Sequence, residues 1–156
     1  MVSNFKNRYG YSLLEARMLR NCLFFVFLTI VFTGNLFSNE SVRFTLEISG
    51  VMVNGGKVYL DIFSNERDFR SNHSSFQIVL DSSSQSIIHS FDLQAGEYVF
   101  AIFQDTNNNG ELDTNFFGFP IEPFVITNYR SGIPNFNRLK FSVNNNFSRM
   151  TVSFGE

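Results

Sequence analysis

The segment Asp105-Thr106-Asn107-Asn108-Asn109-Gly110-Glu111-Leu112-Asp113 sets side-chain oxygens at positions 1, 3, 5 and 9 of a short loop, with glycine at position 6. Calcium and similar hard cations take six to eight oxygens at about 2.3–2.6 Å, and loops with this spacing supply them. Asp105, Asn107 and Asn109 each offer one side-chain oxygen, and Gly110 permits the sharp bend. The carbonyl of Glu111 stands where a helical calcium loop uses its backbone, and Asp113 binds directly or through water. The twelfth position is Phe116, so the usual bidentate glutamate is absent; Glu122 is the residue able to fold back in its place. This ligand set fits an extracellular site of high-micromolar to millimolar affinity. A metal-free reading stands beside it. Asn, Asp and Gly crowd turns because their side chains bond nearby backbone and tolerate left-handed conformations. If an ion binds, its expected role is a structural clamp holding residues 114–137 against the domain.

The rest of the chain offers little chemistry. His73 and His89 are its only histidines and Cys22 its only cysteine. A zinc site needs three or four such ligands at matched spacing, so zinc is not expected. His73 lies beside Ser74 and Ser75, but no nucleophile elbow or oxyanion motif accompanies it. His89 falls inside a strand pattern. Asp61, Glu66, Asp68 and Glu97 are scattered and read as solvated charges. The expectation is a protein that is not an enzyme.

The elements that must position the loop begin after an address segment. Lys6, Arg8, Arg17 and Arg20 precede the apolar run from Leu23 to Thr33, which Gly34 breaks before Ser38. A charged start, an apolar middle and a small-residue exit form a secretory signal peptide, here residues 1–38. Read as an anchor, the eleven-residue run would cover about 16 Å as a helix, short of a bilayer core of about 30 Å. Cys22 precedes the run, which closes the route to a bacterial lipid anchor. The expected product is residues 39–156, one domain, periplasmic or extracellular, with no stable membrane span. It would carry 8 basic and 13 acidic residues, net −5, and no disulfide. Nucleic acid, which demands a basic footprint, is excluded as a partner.

Alternation of apolar and polar residues dominates from Val42 onward. Val42, Phe44, Leu46 and Ile48 form one strand, and Val58, Leu60 and Ile62 another. Asn54-Gly55-Gly56 between them predicts a hairpin. Further strands are predicted over Phe76–Leu80, Ser86–Leu93, Glu97–Gln104, Arg138–Val143 and Arg149–Phe154. Ser64–Ser75 reads as a loop or a single helical turn. About seven short strands and no long helix predict an all-β fold, an antiparallel β-sandwich, with a closed barrel as the alternative. Residues 114–137 form a long irregular region holding all three prolines and Phe116, Phe117, Phe119, Phe124, Tyr129 and Phe136. It is expected to pack over one end of the sandwich, or to grip a glycan or small molecule through residues 116–136.

Leu93-Gln94-Ala95-Gly96-Glu97-Tyr98 resembles the L-x-x-G-x-Y segment of transthyretin-like sandwiches. Asp105 to Asn115 follows the pattern D-x-N-x-N-G-x-L-D-x-N, and Gly118 to Glu122 follows G-x-P-x-E. Together these resemble the DUF2141 family of exported bacterial proteins over most of residues 42–154. The resemblance implies an exported β-sandwich and carries no established activity. Gln104 replaces a histidine frequent before the first aspartate, Val125 stands at a glycine place, and Thr127-Asn128 replaces Ser-Asn. Three functions remain open on these grounds. One is a binding or structural module of the cell envelope, meeting an unidentified envelope protein or glycan. Another is a small-molecule or glycan module, and the last a hydrolase with an unrecognised site.

Overall fold

The computed structural model describes residues 40–155; the expected signal segment, residues 1–38, lies outside them. Ten elements follow in order: β1 (Ser41–Ser49), β2 (Lys57–Phe63), α1 (Glu66–Arg70), β3 (Phe76–Leu80), β4 (Ser86–Gln94), β5 (Gly96–Asp105), β6 (Phe124–Ile126), α2 (Phe136–Leu139), β7 (Phe141–Val143) and β8 (Arg149–Ser153). The strands form two sheets, one ordered β4-β1-β8 and the other β3-β2-β5-β6, with β7 also paired to β5. They stack as a sandwich, as the alternation predicts.

The period-two pattern explains the interior. Val42, Phe44, Leu46 and Ile48 of β1 point inward, as do Val58, Leu60 and Ile62 of β2 and Tyr98, Phe100 and Ile102 of β5. Phe100 meets Phe44 and Phe141 edge-on, at centroid distances of 5.5 and 4.8 Å. Each fully buried side chain of this size contributes about 1.5–3 kcal/mol. The L-x-x-G-x-Y segment also gains a cause: the Tyr98 hydroxyl donates to the carbonyl of Gln94 at 3.0 Å, pinning the β4–β5 corner.

Strand β5 is buried on both faces. Its outer face carries Val99, Ala101 and Phe103. Val99 joins Phe63, Phe136 and Leu139 in a second apolar cluster, against which Phe69, Ala101 and Ile126 pack. The short helices sit over this cluster, each started by an asparagine cap. Asn65 accepts from the Asp68 amide and Asn135 from the Asn137 amide, both at 3.0 Å.

Four expectations are corrected. β1 and β2 do not form a hairpin; they lie in different sheets. Their apolar faces bury each other across the interior, and residues 50–56 carry the chain between layers. Gln104, at the place of the frequent histidine, holds that crossing by accepting from the Met52 amide (2.9 Å) and donating to its carbonyl (2.7 Å). The sandwich is not wholly antiparallel, because β8 pairs with β1 in parallel. The connection from β7 crosses between sheets, so no hairpin fixes the direction of β8. The predicted strand from Arg138 begins instead as helix α2, since the Asn135 cap and the apolar pair Phe136 and Leu139 favour a helical turn against the second cluster. The 114–137 region contains an unpredicted short strand, β6, paired to β5.

Candidate functional site

Asp105 closes β5 and is 1% exposed. Its two oxygens accept from backbone: Oδ1 from Asn109 N at 3.1 Å and Oδ2 from Gly110 N at 2.8 Å. The bend continues by the same device. Asn107 Oδ1 accepts from Asn109 N (3.0 Å), and Asn109 Oδ1 from Glu111 N (2.8 Å). Asn108 and Gly110 take left-handed backbone, φ 62° and 82°. The amide groups of Asn107 and Asn109 both donate to the Asp113 carboxylate, the latter at 3.2 Å. Asp105, Asn107, Asn109 and Asp113 therefore gather around one bend, with the asparagine oxygens turned to backbone amides and their NH2 groups to Asp113. Glu111, whose main-chain carbonyl is the expected donor, has an exposed side chain, and its amide holds the bend through Asn109.

Glu122 does fold back, 8% exposed, onto both ends of the bend. Oε1 accepts from Thr106 N (2.7 Å) and Thr106 Oγ1 (3.0 Å), and Oε2 from Asp113 N (3.0 Å). Asp105 and Glu122 thus act as two carboxylate staples on the main chain. Charge-assisted bonds of this kind are about twice as strong as neutral ones. The asparagine amides have two competing uses. Turning them so that their oxygens face Asp113 would suit a cation but release the Glu111 amide and leave the Asn109 amide to Asp105 alone. Among the described residues, no three His, Cys, Asp or Glu side chains cluster as metal ligands.

Beyond the bend the chain forms a small hairpin. Thr114 bridges Pro120. Asn115 Oδ1 accepts from the Phe117 and Phe119 amides (3.0 and 3.1 Å), and Asn115 N donates to Phe119 O (2.8 Å). Phe116, Phe117, Phe119 and Ile121 are 97%, 78%, 65% and 65% exposed. This corrects the expectation that the aromatic region packs over the sandwich. Phe136 is buried and Phe124 half-buried, but residues 116–121 stand in solvent. The turn needs the Asn115 acceptor and a left-handed Gly118 (φ 80°), and those constraints aim the rings away from the domain.

A groove of 1190 Å³ runs beside the bend on the outer face of the β3-β2-β5-β6 sheet. Gly110, Glu111, Leu112 and Thr114 wall one end, and residues 133–136 with α1 wall the other. Residues 116–136 are the stretch expected to grip a glycan or small molecule, and Phe124, Ile126 and residues 133–136 of it line the groove; its strand floor shows in the sequence only as the consecutive apolar positions of β5, which mark a strand covered on both faces.

The remaining candidates fall elsewhere. Ser75 donates to Asp68 at 3.1 Å, and Asn65 caps the same turn; this network starts α1. His89 lies in β4, its ring stacked on Phe91 at 5.9 Å. Glu97 pairs with Lys140 at 2.7 Å.

No curated protein and no solved structure matches the chain. The family model of uncharacterized proteins conserved in bacteria known as DUF2141 matches residues 46–151, which contain the stapled bend, the aromatic tip and the strands that carry them, and the chain belongs to that family.

Proposed function

We propose that the chain is an exported, non-enzymatic binding module of the cell envelope, working in the periplasm or at the cell surface, and that the tip of the 105–122 loop is its contact surface. One observation carries this reading: four large apolar side chains within six residues stand 65–97% exposed on a loop whose base is anchored by two buried carboxylates. Exposed apolar patches on such scaffolds mark interaction sites. Rigid anchoring lowers the ordering cost of binding. The partner is an envelope protein or glycan. A non-catalytic role is supported by the use of Ser75 and Asp68 in starting a helix, where Ser75 donates to Asp68 beside the Asn65 cap.

Calcium is assigned to the bend as a stabilising ion, with Asp105, Asn107, Asn109, Glu111, Asp113 and Glu122 as its donor set. The support is chemical: all donors are hard oxygens, and four of the residues gather around one bend.

Sedimentation with purified bacterial envelope fragments tests the contact surface. The wild-type protein should co-sediment and the triple variant Phe116→Ser, Phe117→Ser, Phe119→Ser should stay in the supernatant; equal partition of the two sinks the proposal. For the ion, thermal melting with millimolar calcium should give a midpoint several degrees above that with chelator. A shift of about one degree or less counts against it, because an ion that binds the native state must stabilise it.

A further inference from the structure

Ala101 is the smallest side chain in the floor of the outer-face groove, and larger groups surround it. The register places Asp61 and then Gln77 on one side of it and Ile126 on the other. Phe103 and Phe124 pair in the neighbouring row. Alanine at the crossing opens a depression among these groups. The volume, 1190 Å³, exceeds the range of about 300–1,000 Å³ usual for drug-sized ligands and leaves room for several linked rings.

The lining is chemically two-sided. Phe103, Phe124, Ile126 and Phe136 are apolar; Asp61, Gln77, Asn72 and His73 are polar. Gln77 Nε2 donates to Asp61 Oδ1 at 2.9 Å, which orients the carboxylate. Asp61 Oδ2 meets no protein donor among the described residues. Two alternative occupants fit poorly. An extended peptide would bind by adding a strand to an open edge, but β2 and β5 beneath the groove are each paired on both sides. A lipid chain would desolvate the Asp61 carboxylate without giving it a partner, which is costly. A sugar ring suits both sides, with a C–H face for aromatic surface and hydroxyl donors for a carboxylate and an amide.

We propose that this groove binds a neutral oligosaccharide, with a ring face against Phe124 and Ile126 and the hydroxyls donating to Asp61 and Gln77. The assignment rests on reading the chain as a binding module; it adds a second surface and narrows the glycan to a neutral oligosaccharide.

Titration calorimetry tests it on protein purified from cells expressing the full chain, with maltotetraose, cellotetraose and chitotetraose as probes. At least one should give saturable heat. Ala101→Phe, which fills the groove, and Asp61→Asn should each weaken that binding by about tenfold or more, as loss of a positioned charged acceptor or of the site itself requires. Ile88→Ser, on the exposed face of the other sheet, should leave it unchanged. Gln77→Ala, at an exposed position, serves if Ala101→Phe does not fold. No heat with any of the three probes, or unaltered affinity in the groove variants, overturns the proposal. The triple serine variant of the tip should keep its sugar affinity, so failure of the tip and failure of the groove give separate results.

Discussion

At the base of the 105–122 loop two carboxylates are buried; at its tip three phenylalanines and an isoleucine are exposed. The arrangement inverts the usual partition of charge to solvent and aromatics to core. The base has a local cause. Five backbone amides of a sharply bent segment, with the Thr106 hydroxyl, need acceptors, and Asp105, Glu122 and the asparagines supply them. Burial of those charges is offset by the bonds they accept. The tip has no comparable cause within the domain. Its backbone is satisfied by Asn115, and its rings stand mostly in solvent, Phe116 meeting Phe117 edge-on at 5.5 Å. The base is therefore explained by stability, and the tip is left to function.

Two glycines sharpen the contrast most. Gly56 and Gly118 both take left-handed backbone, φ 97° and 80°. A Cβ on Gly56 would stand 1.7 Å from the Asp105 carbonyl oxygen, whereas one on Gly118 would meet nothing within 4 Å. Gly56→Ala should be the most damaging change, costing about 4 kcal/mol or more, in the range reserved for strain that the backbone cannot relieve. Next comes Asp105→Ala, which strips the Gly110 amide of its charged acceptor and the Asn109 amide of one of two. It should cost about 3 kcal/mol by urea denaturation, and a loss under about 1 kcal/mol would remove the stapling account. Glu122→Gln keeps the shape but weakens three bonds and should cost about 1–2 kcal/mol. Gly118→Ala should cost only the intrinsic left-handed penalty, about 1 kcal/mol. The triple serine variant of the tip should fall within about 0.5 kcal/mol of wild type, as surface changes do. A larger loss there would mean the rings serve the fold, and the comparison between base and tip would break.

Much of the bend was legible because its causes are local. The spacing of Asp105, Asn107, Asn109 and Asp113 selects residues that hydrogen-bond within a few positions, so their convergence needs no distant element. The return of Glu122 was visible only as an option, since its role depends on where a sixteen-residue excursion brings it back to Thr106. The floor of the groove was not legible. It arises from Asp61, Gln77, Ala101 and Ile126 on four strands, and only strand order makes them neighbours. The strand-crossing role of Gln104 was hidden for the same reason, because its partner Met52 lies 52 residues away.

Strand positions and the inward identity of Val42, Phe44, Leu46, Ile48, Val58, Leu60 and Ile62 follow from period-two alternation, because each strand must bury one face whatever its neighbours are. The composition of the bend likewise fixed its chemistry as hard-oxygen donors on a tight turn. Which strands pair did not follow. Asn54-Gly55-Gly56 is equally good chemistry for a hairpin and for a crossing between sheets, and the long-range packing of β1 against β2 through their apolar faces decided for the crossing. The exposure of Phe116, Phe117 and Phe119 was also a tertiary outcome. Aromatic residues state an appetite for burial, but whether the domain or a partner meets it depends on where the stapled base points the loop.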